Sequence, residues 1–325
     1  MATQLSAWTT RPYAGETDLP AIAALINDCL TVDHSEDQIS IDELRHQYEN
    51  QDFNQERDLR LWVDATGELC AVASCWLPPA EEPEQRAHCG FSIRPQLRHQ
   101  GLESEILAWA EDLARQVAGD RQKTVKLRSG ARTNHPERMT LLEAHGFTAE
   151  RTFYRMQRSL SEPIPAPQLP TGFQVRCLHG DREVAAWVEA FNQSFMDHWD
   201  FHPLTVAQRQ HWMAAPDYVP ETDLVAVTED GTIAAFCLVL IRTQENGLTG
   251  RSEGWIGDLG TRRGFRRQGL GRAMLLHGLH ALNAQGLETV LLAVDSANPT
   301  GALRLYESVG FQVQRSTIAY VKPLS

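Results

Sequence analysis

Along the second half of the chain the apolar residues change period in a regular way. They recur at helical spacing in REVAAWVEAFNQSF and crowd into a continuous run in AAFCLVLI, and each change of period marks an element. The pattern predicts helices over Arg182–Phe195 and about Thr205–Ala214. A hairpin follows in DLVAVTEDGTIAAFCLVLIR, with Asp230-Gly231 as its turn. A strand over about Gly254–Thr261 then leads through a glycine-bearing turn into a helix from about Gly269 to Ala284, which Gly286 stops. A strand from Thr289, a helix opened by Asn298-Pro299 and ended by Gly310, and a last strand from Phe311 complete the half. Helices mixed with a hairpin and one crossover predict an α/β (α+β) domain, a mixed and mostly antiparallel sheet flanked by helices.

The first half repeats this order. Arg11 precedes the amphipathic LPAIAALINDCL as Arg176 precedes REVAAWVEAFNQSF, an offset of 165 residues. LRHQGLESEILAWAEDLA parallels FRRQGLGRAMLLHGLHAL, with Arg98 against Arg266 at an offset of 168. TNHPERMTLLEAHGF parallels ANPTGALRLYESVGF, with Gly146 against Gly310 at 164. Nearly constant offsets in one order imply duplication. Between the copies lies SLSEPIPAPQLPTGF, whose prolines forbid a helix or central strand. The expected layout is a first domain over 1–160, a proline-rich linker over 161–171 and a second domain over 172–325.

Composition narrows the class of protein. Of 325 residues, 42% are hydrophobic and 22% charged, as in ordinary soluble domains. No apolar run approaches the roughly 18 residues of a membrane span, so no membrane partner is expected. The start, MATQLSAWTTRPYAGETD, lacks the basic and apolar regions of a secretory signal. Six scattered cysteines form no CxxC pair and suit a reducing cytoplasm. A net charge of -12 argues against a nucleic-acid partner.

The chemistry concentrates in Arg266-Arg267-Gln268-Gly269-Leu270-Gly271-Arg272, between a predicted strand and a predicted helix. A helix N-terminus offers unbonded N–H groups and partial positive charge, and glycines let a phosphate approach the backbone. The segment lacks the GxxxxGK[ST] of a P-loop, and Met274 stands where a dinucleotide fingerprint needs its last glycine. A tight turn with a solvated basic face is the alternative that the loop alone leaves open.

Arg266-x-x-Gly269-x-Gly271 resembles the Q/R-x-x-G-x-G/A loop of the GCN5-related N-acetyltransferase (GNAT) family. Asn298-Pro-Thr-Gly-Ala302-Leu-Arg-Leu-Tyr306-Glu-Ser-Val-Gly310-Phe311 resembles the family's N-x-x-A-x-x-x-Y-x-x-x-G-F segment, with one extra residue between Asn298 and Ala302. The tandem layout resembles mycothiol-synthase-like members. The resemblance implies two tandem GNAT-like domains and acetyl-CoA as co-substrate, with no metal. It implies that Arg266, Arg267, Gln268, Gly269, Leu270, Gly271 and Arg272 hold its pyrophosphate. Leu259, Gly260 and Thr261 would present strand amides to the acetyl carbonyl, helped by a bulge that Gly257 and Gly260 tolerate. Tyr306 would be the acid for the departing thiolate. Asn298 would contact the pantetheine arm, although Asn-Pro equally suits a helix N-cap.

For the general base the candidates are Glu253 and then Asp258, which simple alternation places on opposite strand faces. Phe191–Pro220, dense in Phe, Trp and His, is the candidate acceptor wall; Asp197, His198, His202 and His211 also invite a metal reading, but no HExxH is present. The first copy has Glu103 in place of Gly271 and Leu142 in place of Tyr306, and is expected to be degenerate and mainly structural. The expected reaction is acetyl transfer to a primary amine of a small molecule by a monomer or homodimer. A non-catalytic acyl-CoA-binding protein and a protein or peptide N-acetyltransferase are the alternatives.

Overall fold

The computed structural model describes residues 8–78 and 83–324; the first seven residues of the stretch read for a signal lie outside them. The chain forms two compact units. One runs to Glu150 and regains the chain from Ile318; the other comprises Arg151–Thr317.

The first unit contains β1 (Trp8–Arg11), α1 (Leu19–Val32), α2 (Ile41–Tyr48), α3 (Gln55–Asp58), β2 (Leu59–Asp64), β3 (Leu69–Trp76), β4 (Glu84–Ile93), α4 (Leu102–Asp120), β5 (Thr124–Arg132) and α5 (Pro136–Ala144). Its strands lie in chain order, antiparallel except for the β4–β5 crossover, and the residues from Ile318 onward add the strand beyond β5. α4 buries Leu102, Ile106, Ala110, Leu113 and Val117, one stripe at helical spacing.

The second unit takes most of β6 (Thr148–Ser159), then β7 (Phe173–Cys177), α6 (Val184–Phe195), α7 (Val206–Met213), β8 (Asp223–Thr228), β9 (Ile233–Leu240), α8 (Thr243–Thr249), β10 (Glu253–Thr261), α9 (Leu270–Ala284), β11 (Thr289–Asp295), α10 (Ala302–Glu307) and the first part of β12 (Gln312–Leu324). The strand order is β12-β6-β11-β10-β9-β8-β7. β9 is buried along nearly its whole length, because α9 covers one face and α6 with α7 the other. That explains its continuous apolar run, where a half-exposed strand would alternate.

The compact units do not follow the expected boundaries. Residues 151–160 and the proline-rich segment go with the second unit, where β6 pairs antiparallel with β11 from Phe153↔Asp295 to Ser159↔Thr289. The end of β12 goes with the first unit. α8 was also absent from the expectation.

Duplication shows in side-chain brackets as well as in topology. Asn27 Nδ2 donates to Ile39 O and its Oδ1 accepts from Ile39 N–H; Asn192 does the same with Leu204. Arg11 pairs with Asp18, which also accepts from Ala14 N–H, and Arg176 pairs with Glu183, which accepts from His179 N–H. Ser40 and Thr205 cap the next helix of each unit.

β10 is the strand that shapes the site. Its parallel ladder to β11 covers only Glu253–Trp255 against Thr289–Leu291, after which the two strands diverge. Against β9 its register slips between Ile256 and Asp258, a bulge at Gly257. Gly260 is required by packing: a Cβ there would lie 2.2 Å from Phe236 Cζ, and the Phe236 ring is fixed against Trp187, Phe191 and Phe195. Gly260→Ala is expected to destabilise the protein by about 1–3 kcal/mol, measured by urea unfolding.

Candidate active site

The cleft is built where β10 hands over to α9. After Thr261 a 3-10 turn over Arg263–Phe265 leads to Arg267, at φ +65°, and Gly269, at φ +89°. These two left-handed residues turn the chain so that α9 starts with its free N–H groups facing the cleft. No acidic residue occupies the first turn of α9. The cleft, about 730 Å³, is walled by Leu259–Thr261, the loop residues Arg266, Arg267 and Gly269–Arg272, Pro299–Ala302, Leu305 and Tyr306, with Ser194, Asp197 and His198 at its side. Arg267 and Arg272 are exposed and form no ion pair among the described residues.

Arg266 has a different role from its neighbours. Its Nη1 pairs with Asp197 at 2.9 Å, its Nη2 donates to Ser194 O at 2.8 Å, and its Nε donates to Thr261 O at 3.2 Å. Arg263 takes the other Asp197 oxygen. Arg266 thus clamps the loop to the end of α6, and with Arg263 it holds the Asp197 carboxyl below the usual range. Arg98 does the same in the first unit, with Asp33 at 2.6 Å and Ile93 O at 3.3 Å. The groups of this loop left open to the cleft are therefore its amides, Arg267 and Arg272.

The strand amides can be assigned by alternation. Arg262 N–H donates to Ala234 O on the β9 side, so the N–H groups of Leu259 and Thr261 face the opposite side, into the gap left by β11. Tyr306 lies at the inner end of the cleft, 8% exposed, its ring edge-on to Phe311 at 6.0 Å. Burial, then the nearby Cys237 and Asp258, pushes its phenol well above the ordinary value. No protein group among the described residues hydrogen-bonds its hydroxyl.

The two carboxylate candidates part company. Neither belongs to the cleft wall: Glu253 is buried and its Oε2 pairs with Arg251 Nε at 3.0 Å, whereas Asp258 stands near enough to Tyr306 to act on its phenol. Asp258 is pushed up to about 6, chiefly by burial, against which the charge of Arg209 acts. The expectation that the two occupy opposite faces fails. The bulge at Gly257 makes Ile256 and Asp258 successive ladder positions, which returns Asp258 to the face of Trp255 and Glu253.

Other expected residues fall outside the cleft wall. Gln268 is exposed beside it. Asn298 is not an N-cap: α10 starts at Ala302, capped by Gly301 at φ +81°, and Asn298 Oδ1 accepts from Thr300 N–H at 2.8 Å and its hydroxyl at 2.6 Å. The extra residue before Ala302 is taken up in this turn. The aromatic segment from Phe191 is largely core, where Phe191, Phe195 and Trp212 pack with Trp187 and Phe236. His198 does reach the cleft, its imidazole depressed by burial and then by Arg266, and its ring lies edge-on to Phe195. Among the described residues no three His, Cys, Asp or Glu side chains gather as metal ligands.

In the first unit the same loop conformation recurs, with His99 at φ +62° and Gly101 at φ +98°. There Glu103 is buried, 6% exposed, and its Oε1 accepts from His99 N–H at 2.7 Å. A carboxylate thus occupies the amide nest from within. Leu142, in the place of Tyr306, is a fully buried core residue.

A glycine-turned helix N-terminus beside a splayed strand defines an acyltransferase architecture, and the comparisons agree. The acetyltransferase (GNAT) family pattern matches twice, over residues 19–147 and 184–311. The chain belongs to the GNAT family, in its tandem form, and is an acetyltransferase. It is 32% identical to the mycothiol acetyltransferase of Thermobispora bispora over 73% of this chain and 75% of that one. It is 26% identical to that of Acidothermus cellulolyticus over 90% and 88%. A GCN5-related N-acetyltransferase from Sphaerobacter thermophilus superposes with a TM-score of 0.75 and 26% identity, covering 98% of this chain and 96% of the other. A tandem GNAT protein from the clavulanic acid biosynthesis pathway shares the fold, with a TM-score of 0.74 at 13% identity over 98% of both. No helix among the described residues is long and apolar enough to cross a membrane.

Proposed function

We propose that the second unit transfers acetyl from acetyl-CoA to a primary amine of a small molecule by direct attack on the thioester. The observation that carries this reading is the cleft itself: an acid-free helix N-terminus with two unengaged arginines at one end and the Tyr306 hydroxyl at the other. The amides of the 267–272 loop fit a pyrophosphate, which needs donors and positive charge at close range. The N–H groups of Leu259 and Thr261 polarise the acetyl carbonyl and stabilise the oxyanion that forms on it. Asp258, on the face opposite Leu259, accepts the proton of the attacking ammonium, and Tyr306 donates to the departing thiolate. Small-molecule chemistry is favoured by the relatives named for mycothiol, so a deacetylated mycothiol is the first acceptor to test. Thiol release from acetyl-CoA is expected with at least one member of an amine panel. CoA binding without amine-dependent release from any of them would overturn the reading.

The base carries its own prediction. Asp258 must be ionised to accept a proton, so kcat/KM is expected to rise with pH through about 6 and then level. Asp258→Asn is expected to abolish that limb along with most of the rate. The sign for stability is opposite. A carboxyl whose folded pKa is raised above the unfolded value near about 3.9 costs stability progressively as pH rises from there to about 6, and the full cost remains above that. Asp258→Asn should therefore stabilise the fold at pH 8 by on the order of 1–3 kcal/mol and do little below pH 4. A variant that is inactive and also less stable at pH 8 would point to structural damage instead.

A further inference from the structure

Arg209 on α7 is fully buried, an unusual place for a guanidinium. Its Nη2 donates to Asp223 Oδ2, which also accepts from the Tyr218 hydroxyl at 2.9 Å. Its plane lies over the Trp187 ring, 3.9 Å from the centroid. Yet its Nε and Nη1, and Asp223 Oδ1, have no hydrogen-bond partner among the described residues. Donors left idle in a buried site are costly, and an arrangement tuned only for stability would satisfy or remove them.

The sheet register supplies a reason for the cation. Asp223 on β8 and Asp258 on β10 are both partners of Leu238 on β9, one on each side. The two carboxyl residues therefore stand in one row across three strands, on the face that α6 and α7 cover. Arg209 closes that face, anchored at the Asp223 end. We propose that Arg209 is a positioning residue for acetyl transfer, a counter-charge moored by Asp223 and Tyr218 that keeps Asp258 usable as the base. This rests on the reading of Asp258 given above.

Among the described residues the other cations on this face of β10, Arg155 and Arg242, lie over the Trp255 ring. Cys237 lies on the next strand and Tyr306 on α10, and both are neutral acids pushed upward by burial. From α6, Glu189 is engaged with Arg262; on α9, His277 is held down by burial and by His280. The direction of each effect is fixed by charge: Arg209 lowers the Asp258 pKa and Asp223 raises it.

The test uses the full chain labelled with 13C-carboxyl aspartate, the Asp258 resonance being the one lost in Asp258→Asn. Arg209→Met is expected to move the Asp258 titration up by at least one pH unit and Asp223→Asn to move it down. The acid limb of thiol release from acetyl-CoA, with whichever amine turns over best, should move with each. Structural loosening alone gives no such pair of opposite shifts. If Arg209→Met does not fold, Asp223→Asn decides, and a titration unmoved or raised in that variant overturns the proposal. An acid limb that persists in Asp258→Asn would remove Asp258 as the base without touching the titrations, so the two failures are distinguishable.

Discussion

Tyr306→Phe is expected to lower kcat by roughly 10²-fold or more, with the Kd for acetyl-CoA little changed. The substitution removes one hydroxyl and keeps the ring against Phe311, so the fold should be indifferent to it. How the hydroxyl acts follows from acid strength. An ordinary phenol near pKa 10 is a weaker acid than a thiol near about 8.5, so complete transfer to a thiolate is uphill by about 2 kcal/mol. Burial makes the Tyr306 phenol weaker still. The group is therefore expected to stay protonated through the working pH range and to stabilise the departing thiolate as a hydrogen-bond donor, with transfer late or incomplete. Two readouts check this. Stopped-flow thiol release at saturating substrate should fall, and no alkaline limb belonging to the phenol should appear below pH 10 in the wild-type profile. Undiminished release in Tyr306→Phe would exclude the hydroxyl from the reaction.

Much of this was legible in the sequence, and the reasons for the rest are specific. The loop could be read because its chemistry is backbone chemistry: glycines at fixed spacing before a helix dictate where amides point. The duplication could be read from landmark offsets, and the brackets at Asn27 and Asn192 repeat at the same 165-residue offset as Arg11 and Arg176. The exchange of strands between the units could not be read, because a strand such as RTFYRMQRS carries its pleat but no address for its partner. Simple alternation gives the wrong face for Asp258 because one bulged residue at Gly257 reverses every later side chain. Arg266 looked like a phosphate ligand because charge is visible in a sequence and its partner is not. Its twin Arg98, clamped likewise to Asp33 in the copy that has Leu142 in place of Tyr306, marks that arginine as part of the scaffold. The Arg209–Asp223 pair left no local signal, since its members stand fourteen positions apart, one on α7 and the other at the start of β8.

Gly271→Glu is expected to weaken acetyl-CoA binding by at least about fivefold, while Gly271→Ala binds nearly as the wild type does. Gly271 is not needed for its own backbone: its φ is ordinary, and a Cβ there would meet Thr261 Oγ1 at 3.5 Å and Leu305 Cδ2 at 3.8 Å, normal contact distances. What the glycine provides is an empty amide nest. The first unit shows what a glutamate does at that position, where Glu103 folds back, is buried and takes the His99 N–H. Arg267 occupies the His99 position with nearly the same φ, so a glutamate at 271 has the same donor within reach. Its charge would then face a pyrophosphate at about 4 Å, a repulsion of about 1–4 kcal/mol depending on the local dielectric, or roughly five- to a thousandfold in affinity. Because the penalty is electrostatic, calorimetry should show it shrinking as salt is raised from low to moderate ionic strength. It should also vanish for a donor thioester that lacks the nucleotide, such as acetyl-pantetheine. A loss equal for both donors would mean that the glutamate had distorted the cleft, whereas a loss confined to acetyl-CoA would place the carboxylate in the nest, as Glu103 lies in that of the first unit.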